Sequence, residues 1–267
     1  MKIGFIGTGN MGTALIKGYL AVHPEEKSNL FAYDKDEEKL HALTGETGIT
    51  ACGSLEALMA QCDAVLLAVK PNIFDLVLPE IGAHYRAGQV LISIAAGISM
   101  GYIETLVARD GVKIVRVMPN TPAMVNTGMS ALCRNGNIKD AEFEPVMELF
   151  RSVGKAEVVS ESLIDTVIGV SGSSPAYTYM YIEALIDAAV ENGMDKDQAK
   201  IFAAQSVLGA AKMVLETGID PVTLRENVCS PGGTTIEAVK ALQNNGFHGN
   251  VVEAFNAAVA KSKVMTK

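Results

Sequence analysis

Gly7-Thr8-Gly9-Asn10-Met11-Gly12 sets three glycines at the spacing G-x-G-x-x-G. The motif follows a strand pattern, Lys2–Ile6, and opens a helical pattern from Met11. In that setting Gly7 permits a tight turn, Gly9 lets the main chain approach a pyrophosphate, and Gly12 lets helix and strand pack closely. The helix N-terminus adds free N–H groups and the positive end of a dipole. The chemistry implied is capture of a dinucleotide, and with it hydride transfer. Asp34 stands 22 residues after Gly12, where the second strand ends. An acidic group there accepts from the adenosine ribose hydroxyls and favours NAD. Lys35 follows directly; it could face a 2′-phosphate or be plain loop charge.

Three more strand ends carry candidate residues. Leu66-Leu67-Ala68-Val69-Lys70-Pro71 puts a cation straight after a buried run, at the crevice where such sheets bind ligands. Ser93-Ile94-Ala95-Ala96-Gly97 ends a strand in small residues, so main chain can run close to a flat ring. In Arg116-Val117-Met118-Pro119-Asn120-Thr121-Pro122 two prolines bracket Asn120, either as a rigid cofactor-side loop or as a mere strand exit. Far downstream, Asn227-Val228-Cys229-Ser230-Pro231-Gly232-Gly233-Thr234-Thr235 precedes a helix. Consecutive small residues there expose amide N–H groups that suit a carboxylate, with hydroxyls from Ser230, Thr234 and Thr235 beside them. An ordinary helix cap is the plainer alternative, but it needs only one hydroxyl and no Pro-Gly-Gly. Gly169-Val170-Ser171-Gly172-Ser173-Ser174-Pro175 allows close approach either to a helix or to the cofactor, and Pro175 could open a helix or kink one.

These residues must be held by a scaffold, and the pattern supplies it. Lys2–Ile6, Leu30–Tyr33, Ala64–Ala68, Val90–Ile94 and Lys113–Val117 read as strands. Met11–Leu20, Glu37–Leu43, Leu55–Ala60, Ile73–Ile81 and Met100–Ala108 read as the helices between them. The alternation predicts an α/β Rossmann domain with a mostly parallel, doubly wound sheet. A further β–α–β unit follows in Ser130–Cys133, Ala141–Phe150 and Glu157–Val159. Beyond Leu163 the periodicity is helical only, in Tyr177–Glu191, Lys196–Glu216, Thr235–Asn244 and Val251–Val264. The expected organisation is residues 1–160 as the cofactor domain and 161–267 as an all-helical substrate-binding and dimerisation domain. The long helices are rich in alanine and poor in charge, which fits either helices buried inside one subunit or a subunit interface; a domain this small is short for helices so apolar, which favours the interface.

The chain has 267 residues, 49 % hydrophobic and 19 % charged, enough apolar material for a sizeable core. Its net charge of −8 argues against nucleic acid as a partner. No apolar run approaches membrane-spanning length, and a strand pattern at the N-terminus leaves no room for a signal peptide, so the cytoplasm is the expected location. Four scattered cysteines and four scattered histidines give no metal-ligand spacing, so no metal site is expected.

The order of G-T-G-N-M-G, A-V-K-P, R-V-M-P-N-T-P, S-G-S-S-P-A-Y and N-V-C-S-P-G-G-T-T-I resembles the pyrroline-5-carboxylate reductase family over essentially the whole chain. The resemblance implies reduction of 1-pyrroline-5-carboxylate to L-proline with NADPH or NADH. It implies that Ile6, Gly7, Thr8, Gly9, Asn10 and Met11, with Ala68, Val69, Lys70 and Pro71, line the cofactor. It also implies that the loop from Ser230 through Gly232, Gly233 and Thr234 to Thr235 takes the substrate carboxylate, with Asn227 and Glu161 near the substrate. Dimers through the helical half, often gathered into decamers, are implied as well. Thr235 is the hydroxyl expected to bond the ring nitrogen and is the candidate catalytic residue. Cys229 replaces the family's usual threonine or serine, Ser174 its usual glycine, and Asp34 a neutral or phosphate-compatible residue.

Two rivals share parts of this pattern. Hydroxyacid dehydrogenases of this architecture place a lysine in G-x-x-G-x-x-x-K as the carbinol acid/base; here Gly169-x-x-Gly172 leads to Ala176, and no lysine lies between Lys155 and Lys196. Oxidation of a carbinol needs a base, whereas reduction of a cyclic imine needs only a proton on nitrogen. A non-catalytic redox sensor would have no use for a carboxylate-binding loop.

Overall fold

The computed structural model describes all 267 residues. Chain order in the first half is β1 (Ile3–Ile6), α1 (Asn10–Val22), β2 (Leu30–Tyr33), α2 (Glu37–Thr47), β3 (Thr50–Ala51), α3 (Leu55–Gln61), β4 (Ala64–Leu67), α4 (Phe74–His84), β5 (Val90–Ser93), α5 (Met100–Val107) and β6 (Lys113–Met118). Then come β7 (Gly128–Arg134), α6 (Asp140–Arg151), β8 (Gly154–Val158) and the short α7 (Ile164–Val167). The eight strands form one sheet in the order β3-β2-β1-β4-β5-β6-β7-β8. Every neighbouring pair is parallel except β6 and β7, where the proline-bracketed loop reverses the chain.

The order turns back between β1 and β4. In register, Ile6 stands beside Tyr33 on one side and Leu67 on the other, so the ends of β1, β2 and β4 open into one crevice. Sheets of this kind hold ligands at that switch point. Both faces of the sheet are covered. Phe5, Leu15, Ile16, Leu66 and Phe150 belong to one apolar layer, and Leu58, Met59, Leu67, Phe74 and Leu78 to the other. These side chains are essentially solvent-free. Truncating any one of the leucines to alanine would cost about 2–5 kcal/mol, so the crevice rests on a stiff floor.

The helical half contains α8 (Ser174–Glu191), α9 (Lys196–Thr217), α10 (Pro221–Asn227), α11 (Thr234–Asn244) and α12 (Phe247–Met265). The compact units divide at Gly172/Ser173, and residues Ala258–Lys267 belong to the first unit with Met1–Gly172. Sequence composition, by contrast, shifts near residue 160. The difference has a physical source: the segment 161–172 is anchored to the sheet unit, through Glu161 on Arg116 and Ser171 on Asn120, and the end of α12 is anchored there through Ser262 and Lys267. Pro175 lies in the first turn of α8 rather than at a kink, directly after a π-helical turn at Ile168–Gly172.

Within the second unit α8 and α9 pack on each other, yet the buried apolar side chains are only Ala199 and Ala203. Tyr179, Met180, Ile201, Phe202 and Leu215 are each at least 60 % exposed. No helix of the chain is long and apolar enough to cross a membrane.

Candidate active site

The turn from β1 to α1 is built by its glycines. Gly7 has φ +99°, a left-handed conformation that side chains resist, and a Cβ there would lie 2.7 Å from the carbonyl oxygen of Ala68. A Cβ on Gly12 would lie 2.5 Å from the carbonyl oxygen of Gly7, so the helix can sit this close only with glycine. A Cβ on Gly9 would meet no protein atom within 4 Å. Gly9 is also the N-cap of α1, and no side chain caps that end. Open space above a bare main chain, at an uncapped helix N-terminus, is the cradle a pyrophosphate requires, so the residues fit a dinucleotide.

Two cavities meet at Gly9. One, about 270 Å³, is lined by Ile6, Gly7, Gly9, Asp34, Lys35, Ala68, Val69 and Lys70 among the expected residues. Leu55, Ile73 and Val77 give it apolar walls suited to the flat face of an adenine. The other, about 480 Å³, is lined by Thr8, Gly9 and Asn10, and brings in Thr13, Lys17, Lys39 and Asn126. Sequence reading passed over these wall residues, because Leu55, Val77, Lys17 and Lys39 carry only the ordinary signals of helix faces. Met11, Gly12 and Pro71 adjoin the two cavities without lining them; Ala95, Gly97 and Asn120 also lie outside their linings.

Asp34 is held from two sides. Its Oδ2 accepts from the N–H of Thr8 at 2.6 Å and from the Thr8 hydroxyl at 2.8 Å, and its Oδ1 accepts from the N–H of Asp36 at 3.0 Å. Burial pushes the carboxyl up, but donation from Asp36 and Thr8 outweighs it and holds Asp34 below the usual carboxylate range. Lys39 pairs with Asp36 at 2.7 Å and lines the larger cavity together with Thr8 and Gly9.

Asn120 and Glu161 are both engaged by the fold. The Asn120 amide donates to the carbonyl of Ser171 at 3.1 Å, and its Oδ1 accepts from the N–H of Met129 at 2.8 Å. Oε1 of Glu161 accepts from Arg116 Nη1 at 3.0 Å and from the N–H of Met100 at 2.8 Å. Arg116 is 3 % exposed, and its Nη2 is buried without a partner. Glu161 is thus the counterion of a buried guanidinium.

Asn227, Ser230, Gly232, Gly233, Thr234 and Thr235 come together in the second unit, where α10 ends and α11 begins. The N–H of Gly233 donates to the carbonyl of Ser230 at 3.0 Å, closing a turn. Gly233 is the N-cap of α11, and no side chain caps it. The ordinary hydroxyl cap is therefore not what these residues form, and the first-turn amides remain available to an anion. Ser230, Thr234 and Thr235 are exposed.

Residues 161–265 match the family model described as "Pyrroline-5-carboxylate reductase dimerisation". Residues 2–97 match the model described as "NADP oxidoreductase coenzyme F420-dependent". The chain is 45 % identical over 266 residues to the pyrroline-5-carboxylate reductase of Escherichia coli, covering 100 % of this chain and 98 % of that one. Among solved structures it resembles a pyrroline-5-carboxylate reductase from Coxiella burnetii, with a TM-score of 0.94, 33 % identity, and coverage of 100 % and 98 %. It also resembles Plasmodium falciparum pyrroline carboxylate reductase with NADP bound, with a TM-score of 0.89, 36 % identity and the same coverage of 100 % and 98 %.

Proposed function

The chain belongs to the pyrroline-5-carboxylate reductase family, and on that premise we propose that it reduces 1-pyrroline-5-carboxylate to L-proline in the cytoplasm, as a homo-oligomer joined through its helical unit. The observation that carries this reading is the presence, in one chain, of two uncapped helix N-termini behind glycine turns, Gly9 before α1 and Gly233 before α11. One suits a pyrophosphate and the other a carboxylate.

When bound, NADPH or NADH supplies the hydride for the C=N carbon. The protein's part is to hold, orient and guide a proton. The amides at Gly9, Asn10 and Met11 take the pyrophosphate, Asp34 and Lys35 face the adenosine ribose, and Ala68, Val69, Lys70 and Pro71 wall the crevice. The small residues Ala95 and Gly97 let main chain run past the nicotinamide ring, and Asn120 stiffens the neighbouring loop. The amides of Gly233, Thr234 and Thr235, with Ser230, Gly232 and Asn227 of the same unit, clamp the substrate carboxylate, and Glu161 is the substrate-side residue contributed by the sheet unit. Fixing the imine carbon at reactive distance is worth about 7–11 kcal/mol of the barrier. The hydroxyl of Thr235 bonds the ring nitrogen and guides the proton; as a weak acid it leaves solvent as the proton's source.

The test is oxidation of NADPH and of NADH in the presence of racemic 1-pyrroline-5-carboxylate, followed by the loss of reduced-nicotinamide absorbance and by the proline formed. Substrate-dependent oxidation with matching proline is expected. Absence of both with either cofactor overturns the assignment.

A further inference from the structure

The last residues of the chain return to the loop between β5 and α5. The N–H of Lys267 donates to the carbonyl of Gly97 at 2.9 Å, and the carbonyl of Lys267 accepts from the N–H of Ser99 at 3.2 Å and from its hydroxyl at 2.6 Å. Ser99 is itself the N-cap of α5, its Oγ accepting from the N–H of Tyr102 at 3.1 Å. The ammonium of Lys267 pairs with Asp75 Oδ2 at 3.1 Å and lies 5.4 Å from the centroid of the Tyr102 ring, whose hydroxyl bonds the other oxygen of Asp75. Gly97 has φ +75°, and a Cβ there would lie 3.0 Å from the carbonyl oxygen of Met265, so glycine is what lets the two segments run side by side. Upstream, Ser262 is buried and donates to Asp165 on α7.

Residues 262–267 are tied at several points, by main chain at Gly97 and Ser99, by an ion pair to Asp75 on α4 and by the Lys267 ammonium over the Tyr102 ring. The main-chain bonds fall on Gly97 and Ser99 of the β5–α5 loop, and the Lys267 side chain braces the neighbouring helices at Asp75 and Tyr102. We infer that residues 262–267 are a strap that positions this loop against the nicotinamide side of the cofactor, with Lys267 as its positioning residue. The inference rests on the placement of Ala95 and Gly97 beside the nicotinamide proposed above. A loop free to drift by a fraction of an ångström loosens the ring's orientation, and orientation of that kind governs hydride-transfer rate. The adenosine end, held by Gly9 and Asp34 across the crevice, is not touched by the strap.

Lys267→Pro removes the N–H that bonds Gly97 together with the charged side chain, whereas Lys267→Arg keeps both. Binding is measured on the full-length protein with NADPH and with 2′,5′-ADP, which carries the adenosine end but no nicotinamide, alongside steady-state turnover and thermal unfolding. Lys267→Pro is expected to lower kcat about threefold to thirtyfold, the equivalent of one backbone hydrogen bond and one exposed ion pair. NADPH binding should weaken while 2′,5′-ADP binding stays at the wild-type value, and Lys267→Arg should behave as wild type. Unchanged NADPH binding, or equal weakening for NADPH and 2′,5′-ADP, overturns the strap. The binding arm uses no imine substrate, so a wild-type protein that binds NADPH but fails to turn over 1-pyrroline-5-carboxylate refutes the functional reading alone.

Discussion

Thr8 donates twice to a single oxygen of Asp34, through its N–H at 2.6 Å and its hydroxyl at 2.8 Å. The pair ties the middle of the glycine turn to the end of β2. The acidic side chain proposed to face the ribose therefore also sets the shape of the turn proposed to hold the pyrophosphate. Its other oxygen takes one bond, from Asp36, and retains lone-pair capacity for a ribose hydroxyl.

Asp34→Ser should shift the kcat/KM ratio toward NADPH, because a carboxylate facing a 2′-phosphate is replaced by a hydroxyl. The expected size is about 1–2 kcal/mol, roughly tenfold or somewhat more. The KM values for both cofactors should rise together as well, since Thr8 loses its acceptor. Steady-state kinetics with each cofactor separates the effects: raised KM values at an unchanged ratio would mean that Asp34 acts only through Thr8.

The same carboxylate predicts the acid limb of stability. Its folded-state pKa is held below the unfolded value, so its stabilisation is complete above the unfolded pKa of about 3.9 and is lost as pH falls through the lower folded pKa. Asp34→Asn removes that contribution. The gap in unfolding temperature between wild type and Asp34→Asn should stay level from neutrality to about pH 5 and narrow below about pH 4. A gap that does not narrow on acidification contradicts the depressed pKa.

Glu161→Ala should destabilise the protein by about 2–4 kcal/mol, because it strands the buried Arg116 without its counterion. The figure sits below that for a fully buried pair, since Glu161 keeps 31 % of its side chain exposed. Glu161→Gln, which preserves an acceptor for the N–H of Met100, should lose less. Denaturant unfolding measures this directly. Wild-type stability combined with a raised KM for the imine would instead make Glu161 purely a substrate contact.

Thr235→Ala should lower kcat by about 10- to 1000-fold, the loss of one positioned transition-state hydrogen bond, with cofactor affinity nearly unchanged. Thr235→Ser should keep most of the activity. No side chain caps α11, so the hydroxyl is not needed as the helix's first-turn acceptor. Wild-type kcat in Thr235→Ala would remove the residue from the mechanism.

The sheet was legible because its strands are short apolar runs closed by turn residues: Ile3–Ile6, Leu30–Tyr33 and Ala64–Leu67 fall where the pattern puts them. Thr50–Ala51 was not, being two exposed residues with no alternation to read. Helix α10 was also missed, although Asp220 capping at Pro221 is a start signal; seven residues are too few for periodicity to register. Among the site residues, the glycine turn could be read because its chemistry is in the main chain and its spacing is local. The tasks of Glu161 and Asn120 could not, because each is set by a partner 45 or 51 residues away in the chain, Arg116 or Ser171. The contact between Lys267 and Gly97, far apart in the sequence, left no local trace at all.

A helical unit whose buried apolar side chains are only Ala199 and Ala203 has little of its own to fall back on when alone. In the homo-oligomer proposed above, its stability is a property of associated chains and obeys mass action. Dilution should then act on it as a denaturant does, and its unfolding temperature should climb with concentration. A freshly synthesised copy is at its most vulnerable in the interval before it meets another, with Phe202 and Ile201 open to any sticky surface it encounters.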